Sequence, residues 1–296
     1  MTALAPDGLA ARRSGGFRRR AVNRLAMTLL GLSVAVALLP LVLVLYYTVV
    51  KGVARFGSYF LQHSMRGVGG LDATGGAYHA IIGTLEQVGI ATVIAVPIGL
   101  LAAVYTVEYG RGPLASLIRF FTDVMTGVPS IVAGLFIYAF WVLALGQGFS
   151  GFAAALSLMI LMLPTVVRSA EEMLKLVPDS LREAALALGV PRWRTIVSVV
   201  LPTAMAGIVT GVMLAVARVA GETAPLLLTA LNFDSINMNP FKGQQAALPT
   251  FIFAQAGQSP KVALDRAWAG ALTLVLLILV LNLIARAIAR RSRVHG

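Results

Sequence analysis

Arg218 and Glu222 stand four residues apart inside the run 203–231, which holds no other Asp, Glu, Lys or Arg. An arginine in the middle of a membrane span costs on the order of 2.5–3.5 kcal/mol on insertion scales, so such residues face a bundle interior or an aqueous path. On a continuous helix the two side chains share a face and can form a purely structural ion pair. The planar guanidinium can also hold the carboxylate at rest and offer its remaining donors to a tetrahedral oxyanion. Thr223 adds a hydroxyl, while Gly221 and Pro225 loosen the helix and free backbone groups beside it. In the run 124–167, Pro129 disturbs backbone hydrogen bonding next to the hydroxyl of Ser130, and just before that run Arg119 and Asp123 have the spacing of an i,i+4 pair. Ser130, Arg119 and Asp123 are gate candidates. Gly127, Pro129 and Gly134 serve equally well for close helix packing and kinking.

The second chemically distinctive stretch is polar and lies between apolar runs, at 168–194. Asp179 or Ser180 can cap a helix in which Leu181, Ala184, Ala185 and Leu188 recur at helical spacing, and Gly189 and Pro191 end it. A second helix can restart at Pro191, with Trp193 between Arg192 and Arg194 at the membrane interface. Amphipathicity alone is equally consistent with a helix lying on lipid. The small residues Ala184, Ala185 and Ala187 permit close helix approach, and Glu171 and Glu172 are poor neighbours for an anionic bilayer, which favours a protein partner.

These residues are positioned by an unusually apolar chain. Of its 296 residues 58% are hydrophobic and 12% charged, against roughly 45–50% and 25% in soluble domains. The net charge of +12 is spread between apolar runs rather than gathered on one soluble face, so nucleic-acid binding is not expected. Cysteine is absent, which excludes disulfides and thiolate chemistry, and His63, His79 and His295 are scattered. A span needs about 20 apolar residues. The run 124–167 would extend about 66 Å as one helix, roughly two hydrocarbon cores, so it must fold back at the turn-rich segment 146–151. The expected all-α integral membrane protein therefore has six transmembrane helices, at 25–50, 80–107, 118–145, 151–168, 203–231 and 267–285. The first run is too long for a signal h-region of roughly 7–15 residues and is expected to be retained as an anchor. A basic tail 1–24, a cytoplasmic loop 169–202, an external loop 232–264 and a basic tail 290–296 complete a transmembrane domain over 25–289.

Placing both termini in the cytoplasm puts most Lys and Arg on that side and leaves Lys51, Arg55, Arg66, Lys242, Lys261 and Arg266 outside. The N-terminal arginines are then topology determinants that contact anionic lipid. Glu86 can be a buried partner for an external basic residue. The 33-residue external loop is long enough to be partly ordered, with 247–256 expected as a short helix. No lysine precedes Ser or Thr, so the chain lacks the P-loop that cradles ATP phosphates, and neither a GxSxG nor an HExxH motif occurs.

Glu183-Ala184-Ala185, Gly189, Val199 and Leu201-Pro202 reproduce the spacing of the EAA signature of ATP-binding-cassette importer permeases, with Val199 where Ile is usual. In addition, the stretch from Ala217 through Arg218, Glu222 and Thr223 to Leu227 resembles the hallmark of phosphate-importer permeases, as does Thr126 to Leu135, and the PstA type is the better match. The resemblance implies the type I importer permease fold, with 181–189 as a cytoplasmic coupling helix: Leu181, Glu183, Ala184, Ala185, Leu188 and Gly189 would contact an ATPase. It also implies a phosphate pathway through Arg218 and Glu222, and Thr223 and Ser130 are expected on that pathway for their hydroxyl groups. The implied partners are a PstC-type permease forming a heterodimer, two copies of a PstB-type ATPase carrying ATP and Mg, and a PstS-type external phosphate-binding protein. No cofactor is implied for this chain, which would work without covalent chemistry in the bacterial inner membrane. A permease for sulfate or molybdate is the nearer rival. A stand-alone secondary transporter is more distant, since no internal repeat is apparent.

Overall fold

The computed structural model describes residues 15–110 and 112–292, and every described element is helical or connecting. Arg111 and the outer parts of both basic tails, 1–14 and 293–296, lie outside the described residues. Of the described residues, 15–50 form a unit of their own. They hold most of α1 (Gly15–Val53), which carries Pro40 inside it. Leu29, Leu30, Leu32, Val34 and Val36 are all exposed, so this helix is apolar on every side, as a helix meeting lipid must be.

The second unit begins at Lys51. Its elements are α2 (Ser58–Gln62), α3 (Tyr78–Val104), α4 (Pro113–Gly127), α5 (Ser130–Ile137), α6 (Gly151–Lys175), α7 (Asp179–Ala187), α8 (Arg192–Thr195), α9 (Leu201–Ala220), α10 (Ala224–Thr229), α11 (Leu248–Ala256) and α12 (Lys261–Ser292). π-helical turns continue α3 over Tyr105–Tyr109 and α5 over Tyr138–Ala144, and a third, Ile196–Val200, joins α8 to α9.

The centre of this unit is the packing of α3, α6 and α9. Val88, Ala91 and Ala95 of α3 meet Leu158, Met162 and Val166 of α6, with Ala215 and Val219 from α9. Small residues bring the backbones together, because lipid offers no hydrophobic drive and association must come from close contact. At Gly99 an added Cβ would lie 2.8 Å from Val166 Cγ1.

Among the described residues five helices are long and apolar enough to cross a membrane, or six when the bent pair α4–α5 counts as one span. That pair turns by 107°. The expected third span is thus sharply broken rather than straight: Pro129 has no N–H to continue α4, and Val128 before it is extended, as a residue preceding proline prefers. The expected fifth span is also broken. Helix runs from Arg192 to Ala220, stops at Gly221, and resumes at α10, after which Leu231 adopts φ 60°. The loops expected at 169–202 and 232–264 are both shorter than those ranges, because α6 continues to Lys175 and α12 begins at Lys261.

Candidate functional site

The break in the fifth span places the charged residues. Gly221 N–H closes back on Arg218 O and Glu222 N–H on Val219 O, both at 3.2 Å, so α9 ends in a tight turn. Thr223 then accepts the amides of Leu226 and Leu227 at its carbonyl and starts α10. Since α9 ends between them, Arg218 and Glu222 do not share a continuous helix face. Among the described residues neither enters an ion pair, which argues against the structural-pair alternative. Arg218 is exposed, while Glu222 and Thr223 are half-buried. Ala220, beside the break, lines a cavity of about 350 Å³ with Thr84, Val88 and Gly89, which sets the break against the first half of α3. The cavity walls are apolar and offer no cation to an anion. Irregular backbone at membrane depth is tolerated only where protein or water covers it.

The two broken spans meet. Gly134, one turn into α5, packs on Pro225 at the start of α10 so closely that a Cβ would lie 2.5 Å from Pro225 Cα. Ser130 is half-buried at the first position of α5, after the bend. The α5 and α10 starts therefore belong to one packed element, and Ser130, Glu222 and Thr223 lie at its two helix beginnings.

The Arg119–Asp123 pair does not form. Arg119 instead approaches Glu171 of α6 at 3.8 Å and donates to Thr106 O at 2.8 Å, while Asp123 pairs with Arg168. Tertiary partners on α6 outcompete a local pair worth only a few tenths of a kcal/mol, ~0.2–0.5. These contacts tie α4 to the C-terminal half of α6. Glu86 likewise takes no basic partner: its Oε2 accepts from Gln245 Nε2 at 2.5 Å, and Gln87 donates to Gln245 Oε1 at 3.1 Å. With Leu248 N–H on Thr84 Oγ1 at 2.8 Å, this network fastens the segment before α11, and α11 itself, onto α3. Arg266 is fully buried, its guanidinium donating to the carbonyls of Gly70, Asp72 and Thr74, so it closes a loop rather than offering charge to solvent.

The second site is α7. Its N-cap is Pro178, not Asp179 or Ser180, because Asp179 is already helical and its carboxylate accepts from Arg182 Nη1 at 3.0 Å. The C-terminus is closed by Gly189 at φ 78°, with Gly189 N–H on Leu186 O and Val190 N–H on Ala185 O, at 2.9 and 3.1 Å. Ala185 faces the body of the protein. Leu181, Glu183, Ala184 and Leu188 face outward, and Leu188 is 84% exposed, which leaves a small apolar surface uncovered. Sequence reading missed the anchor of this helix, the Arg182–Glu108 ion pair at 2.8 Å, whose members are 74 residues apart. An acid closing an apolar run, opposite a basic loop, was the available signal.

A bundle of broken spans, with an arginine inside one of them and a capped amphipathic helix between two others, is the arrangement of a membrane permease subunit. The sequence pattern of the family described as "Binding-protein-dependent transport system inner membrane component" matches residues 95–294, and the chain belongs to that family. It is 49% identical over 282 residues to "Phosphate transport system permease protein PstA 1" of Mycobacterium tuberculosis, covering 93% of this chain and 92% of that protein. To the PstA protein of Yersinia pestis it is 41% identical over 276 residues, covering 93% and 92%. Among solved structures, the inward-facing MetNI methionine ABC transporter aligns with a TM-score of 0.58 at 19% identity, over 73% of this chain and 94% of that one. This likeness shows the fold, that of a type I ABC importer permease. The chain is thus a multi-pass inner-membrane transport subunit.

Proposed function

We propose that this chain is the PstA-type permease subunit of an ATP-driven importer for inorganic phosphate. The observation that supports it most directly is Arg218, exposed at a helix break within a membrane-spanning run, in a chain 41–49% identical to PstA proteins. An exposed guanidinium in a span must be met by water, substrate or another subunit. Its fork suits an oxyanion, and Glu222, Thr223 and Ser130 contribute polar groups along the same pathway. A PstC-type permease would supply the other half of the channel, with phosphate passing between the two bundles. A PstS-type binding protein would deliver it from outside.

This chain holds no cofactor in the proposed scheme. Two PstB-type ATPases would bind ATP and Mg, and one would receive the outward face of α7, with Leu181, Ala184 and Leu188 entering its groove and Glu183 and Gly189 framing them. Both termini, α7 and α8 then lie in the cytoplasm. Closure of the ATPases moves α7 and alternates access to the pathway.

The test is ATP-dependent uptake of labelled phosphate into vesicles that carry all four components. Unlabelled phosphate should compete and sulfate and molybdate should not. Competition by either of those anions would change the cargo, and uptake without the ATPase would contradict the importer reading.

A further inference from the structure

Very little apolar packing holds α7 in place. Its one buried side chain is Ala185, while Leu181, Leu186 and Leu188 are exposed. Hydrogen bonds carry the attachment instead. Arg182 donates Nε and Nη2 to Glu108 Oε1, at 3.1 and 2.8 Å, and these side chains are 17% and 5% exposed. Its other donors reach Leu174 O at 2.9 Å, Val177 O at 2.6 Å and Asp179 Oδ1 at 3.0 Å. Arg192 of α8 donates to the backbone carbonyl of the same Glu108 and lies over the Tyr109 ring at 5.1 Å. One acidic residue therefore receives both cytoplasmic helices.

Glu108 sits in the π-helical turn that ends α3, where the extra residue per turn resets which side chains face inward; Thr106 and Glu108 are both buried there. The chain itself links α7 to α6 and to α8, but α3 is remote in sequence. Motion of α7 reaches α3 through non-covalent contacts, and the Glu108 carboxylate provides the charge-assisted one. Beside it lies a cavity of about 130 Å³ lined by Glu108, Arg182, Leu186, Arg192, Thr195 and Ile196, which gives the pair room to shift without breaking.

We infer that Glu108 is a positioning residue for transport: through Arg182 it couples displacement of α7 to the α3–α6–α9 bundle that bears the pathway. This rests on the reading of α7 as the ATPase-docking helix. A residue that merely clamps the fold would lower assembly, hydrolysis and uptake together. A coupling residue separates them.

The complete complex in vesicles is compared with its Glu108→Ala and Glu108→Gln variants for retained ATPase, ATP hydrolysis and phosphate uptake. Glu108→Ala should keep the ATPase bound and hydrolysing, while phosphate moved per ATP falls about tenfold, within the range that coupling residues produce. Glu108→Gln keeps an acceptor for Arg182 and should recover much of that loss. Unchanged phosphate per ATP in Glu108→Ala, or uptake falling only in step with assembled complex, overturns the inference. If Glu108→Ala does not assemble, Arg182→Lys, which keeps charge but loses the fork, is read by the same ratio. Leu188→Asp keeps the two readings apart. Full ATPase retention in that variant defeats the docking of α7, whereas loss of ATPase there with unchanged coupling in Glu108→Ala defeats only the role of Glu108.

Discussion

Replacing Gly189 isolates the contribution of a single backbone conformation to the ATPase docking proposed for α7. The residue has φ 78°, and an added Cβ would meet nothing within 4 Å, so the cost of a side chain is conformational and not steric. Left-handed backbone costs a residue with a Cβ about 1–2 kcal/mol, equivalent to about a 5- to 30-fold shift away from the capped conformation. That conformation makes the hydrogen bonds from Gly189 and Val190 that end α7 and direct the chain into α8. Without it the exposed Leu188 is presented differently to the proposed ATPase partner. Gly189→Val should therefore weaken retention of the ATPase by roughly that factor, as read by titrating the ATPase against the purified permease pair. Gly189→Asn is the matched control, since asparagine tolerates positive φ, and it should lose distinctly less. Equal losses in both variants, or full retention and transport in Gly189→Val, would refute the reasoning.

Leu188→Asp should weaken ATPase retention about tenfold or more, because burying a leucine contributes ~1.5–3 kcal/mol and this one is 84% exposed when the chain is alone. Unimpaired co-purification would contradict that. Gly134→Ala should lower thermal stability by about 1–3 kcal/mol, since its Cβ would lie 2.5 Å from Pro225 Cα and the α5–α10 contact must open. An unchanged unfolding profile in detergent would show that the contact adapts freely.

Most of the membrane plan is legible in the sequence because the bilayer imposes it. Apolar runs mark α1, α3, α6, α9 and α12, and the EAA spacing marks α7, where Gly189 takes the left-handed turn that its position in the pattern suggests. The short helix expected at 247–256 lies at Leu248–Ala256. Pairings are less legible. Arg119 and Asp123 have ideal local spacing, yet each finds a partner elsewhere, Glu171 and Arg168, because the packing of α4 on α6 decides which charges meet. Arg218 and Glu222 show the converse. Their i,i+4 spacing presumes a continuous helix, and Gly221 ends it before the second residue is reached. Glu108 with Arg182, and Gln245 with Glu86 and Gln87, are long-range contacts for which periodicity carries no signal.

The most direct test of the proposed transport role is ATP-dependent phosphate uptake by the complete complex with Arg218→Ala, measured beside ATPase retention in the same vesicles. The expected result is an assembled complex with the ATPase bound and uptake abolished, which would give the exposed arginine its place on the pathway. Uptake at the wild-type level would contradict the account, and loss of assembly together with uptake would assign Arg218 to the fold instead.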